Sequence, residues 1–203
     1  MKALYVTDRK ALGDDRFESL LASLAGLPGL HVQLREREAS DRESLAWASR
    51  AREKLGPDVP LLVNRRFDLA LAAAADGVHL PADGLPLARV RANTPRGFRI
   101  GVSTHSAEEA VAAIDGGADL VVLGPIFATP SKRDHGAPLG PGVLADLPRL
   151  ADHETEVFAI GGVDESSIAA LDAYRDRITG IAAVRLFQES ADPRAAAERI
   201  AAR

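Results

Sequence analysis

Cysteine is absent from the 203-residue chain. Disulfides, thiolate zinc sites and a cysteine nucleophile are thereby excluded, and the composition fits a reducing compartment. No apolar run approaches the roughly 18 residues of a membrane span. The N-terminal stretch MKALYVTDRKALGDD soon turns polar, so neither a signal peptide nor a membrane anchor is expected, and the expected location is cytoplasmic. A basic excess is also missing: 25 Lys+Arg stand against 29 Asp+Glu, a net charge of −4. Without a basic field to hold a phosphate backbone, nucleic acid is not an expected partner. Metal motifs of the H-E-x-x-H, H-x-H or EF-hand type do not occur, and no G-x-S-x-G elbow supports a Ser–His–Asp triad. What is present is 46% apolar and 27% charged residues with 17 Gly and 12 Pro, the balance of a single globular domain over residues 1–203.

Short β-rich runs alternate with Ala/Leu/Arg/Glu stretches of helical period, the pattern of repeated βα units around a parallel sheet. Strands are predicted at Ala3–Asp8, His31–Glu36, Pro60–Arg65, Gly77–Ala82, Arg99–His105, Leu120–Phe127, Glu156–Val163 and Thr179–Phe187. Eight units at about 25 residues each suit a compact single (β/α)8 TIM barrel, an α/β fold. A doubly wound open sheet is the alternative, and the lack of G-x-G-x-x-G after the first strand favours the barrel. Helix starts are predicted at Ser40–Asp41, at Ser106 with Glu108 and Glu109 in its first turn, and at Asp164. The Ala-rich stretch Leu69–Ala75 reads as helix former. The longest irregular stretch, Ala128–Gly142, follows the sixth strand and is expected to act as a lid.

Active sites of such barrels form at the C-terminal strand ends. There the sequence places Thr7 and Asp8, Gln33 with Arg35 and Glu36, Asn64 with Arg65, His79, and Ser103 with His105. Any one of these could equally be a satisfied ion pair or a loop cap. Gln33 and Arg35 share parity, as do Ser103 and His105, so each pair is expected to face one mouth. Arg35 offers a fork for carboxylate or phosphate. His105 is either a proton carrier near neutral pH or a cap on the helix opening at Ser106. His31, His135 and His153 read as surface residues.

The segment from Phe158 through Gly161–Gly162 into Asp164 exposes backbone N–H groups after the seventh strand. It is either a phosphate cup or merely a tight turn. The eighth strand end, with Arg185 and Leu186, would complete a phosphate site of the kind barrels build after strands seven and eight. Thr129, Ser131 and Lys132 of the TPSK sequence form a second candidate anion grip.

The strings Tyr5-Val-Thr-Asp8, Val32-Gln-Leu-Arg-Glu36, Leu61-Leu-Val-Asn64, Ala75-Asp-Gly-Val-His-Leu80, Gly101-Val-Ser-Thr-His105, Gly124-Pro-Ile-Phe127 with Thr129-Pro-Ser-Lys132, and Ala159-Ile-Gly-Gly-Val163 together resemble the thiamine phosphate synthase/TenI superfamily over almost the whole chain. The resemblance implies a (β/α)8 barrel that binds a thiazole phosphate. Synthases of that superfamily hold magnesium on two aspartates, and the matching positions here are Arg65 and Gly84. A guanidinium donates no lone pair and repels a second cation. The expectation is therefore the metal-free branch, a thiazole tautomerase that aromatises a carboxythiazole phosphate with His105 as proton shuttle and no cofactor.

By position, Arg35 would face the substrate carboxylate, Asn64 and Ser103 would orient the ring, and Gly161, Gly162, Arg185 and Leu186 would hold the phosphate. The alternative is a synthase joining a pyrimidine pyrophosphate to the thiazole phosphate, with Mg²⁺. It is supported by TPSK, which keeps the pattern synthases use for pyrophosphate. Arg37 for the pattern's Lys and Arg185 for a common Ser are further departures. A second alternative is a non-catalytic regulator that binds a phosphate ligand. A homodimer is expected on general frequency.

Overall fold

The computed structural model describes residues 1–129 and 137–203. Eight parallel strands pair in chain order and close, the last hydrogen-bonding the first. They are β1 Lys2–Val6, β2 Leu30–Leu34, β3 Leu61–Asn64, β4 Gly77–Leu80, β5 Arg99–Thr104, β6 Leu120–Leu123, β7 Glu156–Ile160 and β8 Gly180–Ala183. The barrel expectation holds and the open sheet does not. Two strands end earlier than their apolar runs. β6 stops at Leu123, ahead of Gly124-Pro125, and β8 stops at Ala183 because Val184 turns into the αR region and starts a helix.

The helices are α1 Arg9–Leu12, α2 Asp14–Ser23, α3 Asp41–Leu55, α4 Phe67–Ala72, α5 Leu87–Arg91, α6 Ala107–Asp115, α7 Arg185–Gln188 and α8 Pro193–Ala201. α3 shows how the sequence writes them. Ser40 accepts from the Glu43 backbone N–H while the Glu43 carboxylate takes the Ser40 N–H, closing a capping box. Trp47, Ala48, Ala51 and Leu55 then fall on one face and are buried.

After β7 the expected helix at Asp164 gives way to a 3-10 turn, Ile168–Tyr174. The Asp164 carboxylate accepts from the N–H groups of Ser166 and Ser167 at 3.0 and 2.9 Å, and this side-chain turn holds the chain off helical geometry. After β6 the corresponding element is also 3-10, Pro141–Asp146. Residues 130–136 of the expected lid lie outside the described residues. The arm that returns from them is tied to the β6 exit, with Leu139 N–H on Pro125 O and Gly140 N–H on Ile126 O, both at 2.9 Å.

Alternation along the strands separates two apolar layers. Leu4, Val6, Leu120, Val122, Phe158 and Ala182 fill the barrel interior. The opposite parity, including Tyr5, Val32, Val63, Val78, Ile100 and Val121, packs with the helices.

Below the interior layer lies a charged floor. Glu156 pairs with Lys2 and Arg99, and His31 Nε2 sits 3.0 Å from the Glu156 carboxylate and 2.9 Å from Arg99 Nη1. Burial alone would raise the Glu156 pKa. The bonds and charge of His31, with Lys2 and Arg99, outweigh it and hold the carboxyl well below the usual range. The surface expectation for His31 is thus corrected: it is 3% exposed, because it shares inward parity with Gln33. His153 is corrected as well, being half-buried with both ring nitrogens enclosed and unpartnered among the described residues. His135 lies outside the described residues.

Candidate active site

The polar strand ends meet at the mouth opposite the charged floor. Gln33, 4% exposed, donates its amide to Asn64 Oδ1 at 3.0 Å, joining the ends of β2 and β3. Beside them on β4, His79 is 1% exposed and its Nε2 lies 2.7 Å from Ser103 Oγ on β5. Gly101 makes this possible: a Cβ there would lie 2.6 Å from His79 Nδ1. Burial, followed by the nearby Arg35 charge, pushes the His79 pKa down to about 3, so its imidazole is neutral at physiological pH.

Arg35 lies just beyond β2, half-buried. Its backbone N–H donates to Thr7 Oγ1 at 2.9 Å. Its guanidinium makes no hydrogen bond or ion pair among the described residues. Burial and then Arg37 lower its pKa, with Asp8 opposing them. A half-buried cation without a partner among the described residues has the chemistry to accept an anion.

His105 is exposed at the end of β5, and its Nδ1 lies 2.7 Å from Gly124 O. A carbonyl only accepts, so Nδ1 carries a proton and the ring ties the β5 rim to the β6 exit. His105 is not the helix cap; Ser106 is, accepting from Glu109 N–H at 3.2 Å.

Across the mouth, Gly161 and Gly162 adopt φ of 99° and 63°. A Cβ on Gly162 would come within 2.4 Å of Ala128 O, so the pair lets the β6 and β7 exits lie against each other. Phe127 N–H on Gly161 O, at 2.9 Å, fixes that contact. Among the described residues the N–H groups of Gly162 and Val163 have no backbone acceptor. On the neighbouring strand, α7 begins at Arg185 with no side-chain cap, presenting the Arg185 and Leu186 N–H groups. Thr129 sits on the β6 exit; Ser131 and Lys132 lie outside the described residues.

The structure thus brings Arg35, Asn64, Ser103 and His105 to one side of the rim and Gly161, Gly162, Arg185 and Leu186 to the other. Sequence reasoning named His79 and Gln33 only as strand ends and missed their bonds to Ser103 and Asn64. The inward parity of Gln33 and the register of Asn64 opposite His79 are the signals that connect them.

Arg65 and Gly84 do not fit a two-aspartate magnesium site. Arg65, at a φ of 68°, gives its guanidinium to Asp83 at 2.8 Å, and a side chain at Gly84 would begin 2.8 Å from Pro81 O. The adjoining Asp83 carboxylate is already committed to the Arg65 cation.

The fold and this rim define a (β/α)8 barrel with polar side chains gathered at the C-terminal mouth of its strands. A model of the thiamine monophosphate synthase family matches residues 3–187. A putative thiamine-phosphate synthase of Geobacter sulfurreducens is 38% identical over 202 residues, covering 97% of this chain and 91% of that protein. The thiamine-phosphate synthase of Methanoculleus marisnigri is 38% identical over 205 residues, covering 98% and 95%. Among solved structures, a thiamine phosphate pyrophosphorylase from Pyrococcus furiosus superposes with a TM-score of 0.81 at 27% identity, over 99% of this chain and 94% of that one. The chain belongs to the thiamine monophosphate synthase family, an enzyme family of thiamine biosynthesis.

The tautomerase expectation is corrected by these relatives, which carry the synthase name across nearly the full chain. It rested on Arg65 and Gly84, two positions that bear on metal binding and say nothing directly about which bond is made. No helix among the described residues is long and apolar enough to cross a membrane.

Proposed function

We propose that the protein is a transferase that joins a pyrimidine pyrophosphate to a thiazole phosphate, giving thiamine phosphate and pyrophosphate. Full-length similarity to thiamine-phosphate synthases carries this reading, and a rim with Arg35 on one side and Arg185 with backbone N–H groups on the other is consistent with it. In the reaction the methylene carbon of the pyrimidine loses its C–O bond to pyrophosphate, and the thiazole nitrogen lone pair forms the new C–N bond. The electron pair of the broken bond leaves on pyrophosphate, and the product ring carries the positive charge. No proton moves in that step, so His105 acts as a rim tie and not as a shuttle.

Gly161, Gly162, Arg185 and Leu186 bind the thiazole phosphate through backbone N–H groups and one guanidinium. Arg35 and Thr129, with Ser131 and Lys132, meet the pyrophosphate. Asn64, held by Gln33, and Ser103, held by His79, orient the pyrimidine. Arg35 carries the largest electrostatic share, because its charge is half-buried and unpaired among the described residues.

The test is thiamine phosphate formation by purified protein from the two substrates, with Mg²⁺ and in parallel with EDTA. Product in either arm supports the reading, and the comparison reports whether a divalent cation contributes despite Arg65. Absence of product in both arms, with thiazole phosphate bound, would overturn it.

A further inference from the structure

We infer that His79 is a positioning residue that fixes the direction of the Ser103 hydroxyl, so that Ser103 donates a hydrogen bond to an acceptor atom of the ligand. The buried end of the ring decides which nitrogen carries the proton. His79 Nδ1 is enclosed and has no hydrogen-bond partner among the described residues. The space beside it is that of a missing Gly101 side chain, and Leu120 and Leu62 methyl carbons lie 3.2 and 3.4 Å from where that Cβ would be.

A proton on Nδ1 would bury an N–H donor against this apolar wall, the more expensive way to leave the atom unmatched. A second proton on the ring would put a charge there, which burial and the neighbouring Arg35 oppose. The proton therefore resides on Nε2 and is given to Ser103 Oγ at 2.7 Å. A hydroxyl has one proton and two lone pairs. With one lone pair taken by His79, its proton is left for the mouth, toward which half-buried Ser103 opens. His79 is the only protein partner of that hydroxyl among the described residues. The matching ligand atom is an acceptor, such as a ring nitrogen or a phosphate oxygen, and a ligand amino group there is disfavoured. Specificity at this point of the rim is thus set by a residue that the ligand does not touch.

The tautomer is measured on ligand-free protein by ¹⁵N-correlated NMR of the imidazole rings, with the His79 signals identified by their loss in His79→Gln. Nitrogen shifts of an Nε2–H ring are expected, and an Nδ1–H ring overturns the proposal. If His79→Gln does not fold, the same signals are identified as those displaced in Ser103→Ala.

The kinetic arm rests on the transferase reading. Ser103→Ala and His79→Asn are each expected to lower kcat/KM about tenfold, the worth of one hydrogen bond. The double variant should be no worse than the poorer single one. His79→Gln, which keeps an N–H at similar reach, should stay within about threefold of the parent. Multiplying losses in the double variant, or an inert Ser103→Ala, would overturn the coupling. A protein that forms no thiamine phosphate but shows the Nε2–H ring would refute the transferase reading and leave the positioning role standing.

Discussion

Replacing Glu156 by Gln removes the anion that Lys2, His31 and Arg99 share at the barrel floor while keeping its shape. In the native protein the carboxylate is shared by Lys2, Arg99 and His31, and its side chain is 14% exposed. The Lys2 side chain is 44% exposed and regains water when its partner is lost, so it contributes little. Arg99 and His31, at 25% and 4%, have no such recourse. Breaking a buried pair from one side costs about 3–5 kcal/mol, and the partial exposure of Lys2 places this case near 3 kcal/mol. For a domain of this length that corresponds to a fall in Tm of about 6–12 °C.

Chemical denaturation and calorimetry of parent and variant at neutral pH measure the loss, and thiazole phosphate affinity measured well below Tm should be unchanged, because the floor and the mouth are opposite ends of the barrel. A loss below about 1 kcal/mol would mean that the network behaves as a screened surface cluster and that the floor is held by its apolar neighbours.

Three further outcomes are expected. Gly162→Ala puts a Cβ 2.4 Å from Ala128 O at a φ of 63°; it should cost about 1–3 kcal/mol by overpacking and weaken thiazole phosphate binding in calorimetric titration. His105→Gln should keep thiamine phosphate formation within about tenfold of the parent, whereas a loss of the ~10²–10⁴-fold size typical of acid–base catalysis would restore it as a proton carrier. His79, with a folded pKa of about 3 against about 6.5 when unfolded, binds its proton more readily in the unfolded chain. Stability should therefore fall as pH drops from about 6.5 toward 3, and His79→Gln should flatten that slope. Glu156 adds to the fall only below about 4.3, the ordinary carboxylate range, so the interval above it isolates the histidine.

The barrel was legible because each strand is a short β-rich run set between helical segments, and because Ser40, Ser106 and the acidic first turns mark where helices begin. The strand limits were less so: the stretch from Ile181 to Phe187 spans the end of β8 and most of α7, and hydrophobicity alone does not divide them. His31 shows a different loss. Parity with Gln33 placed it inward, but a lone histidine invites a surface assignment until the charges of Lys2, Arg99 and Glu156 are seen to converge on it from β1, β5 and β7.

At the site, Arg35, Asn64 and Ser103 were readable as strand-end polar residues. The His79–Ser103 bond was not, since it depends on the stagger between β4 and β5, where His79 stands level with Gly101. The reaction was misjudged for a chemical reason. Arg65 and Gly84 speak to whether a cation can bind, and the step from a missing cation to a different reaction was larger than two positions support.

The charged floor also governs traffic. With Lys2, His31, Arg99 and Glu156 across one end and Leu4, Val6, Leu120, Val122 and Phe158 packed above them, the barrel is a vessel with one opening. Whatever enters at the rim leaves by the rim. On the transferase reading, two substrates and two products share a single doorway, and the order in which they depart is decided by which of them blocks the others.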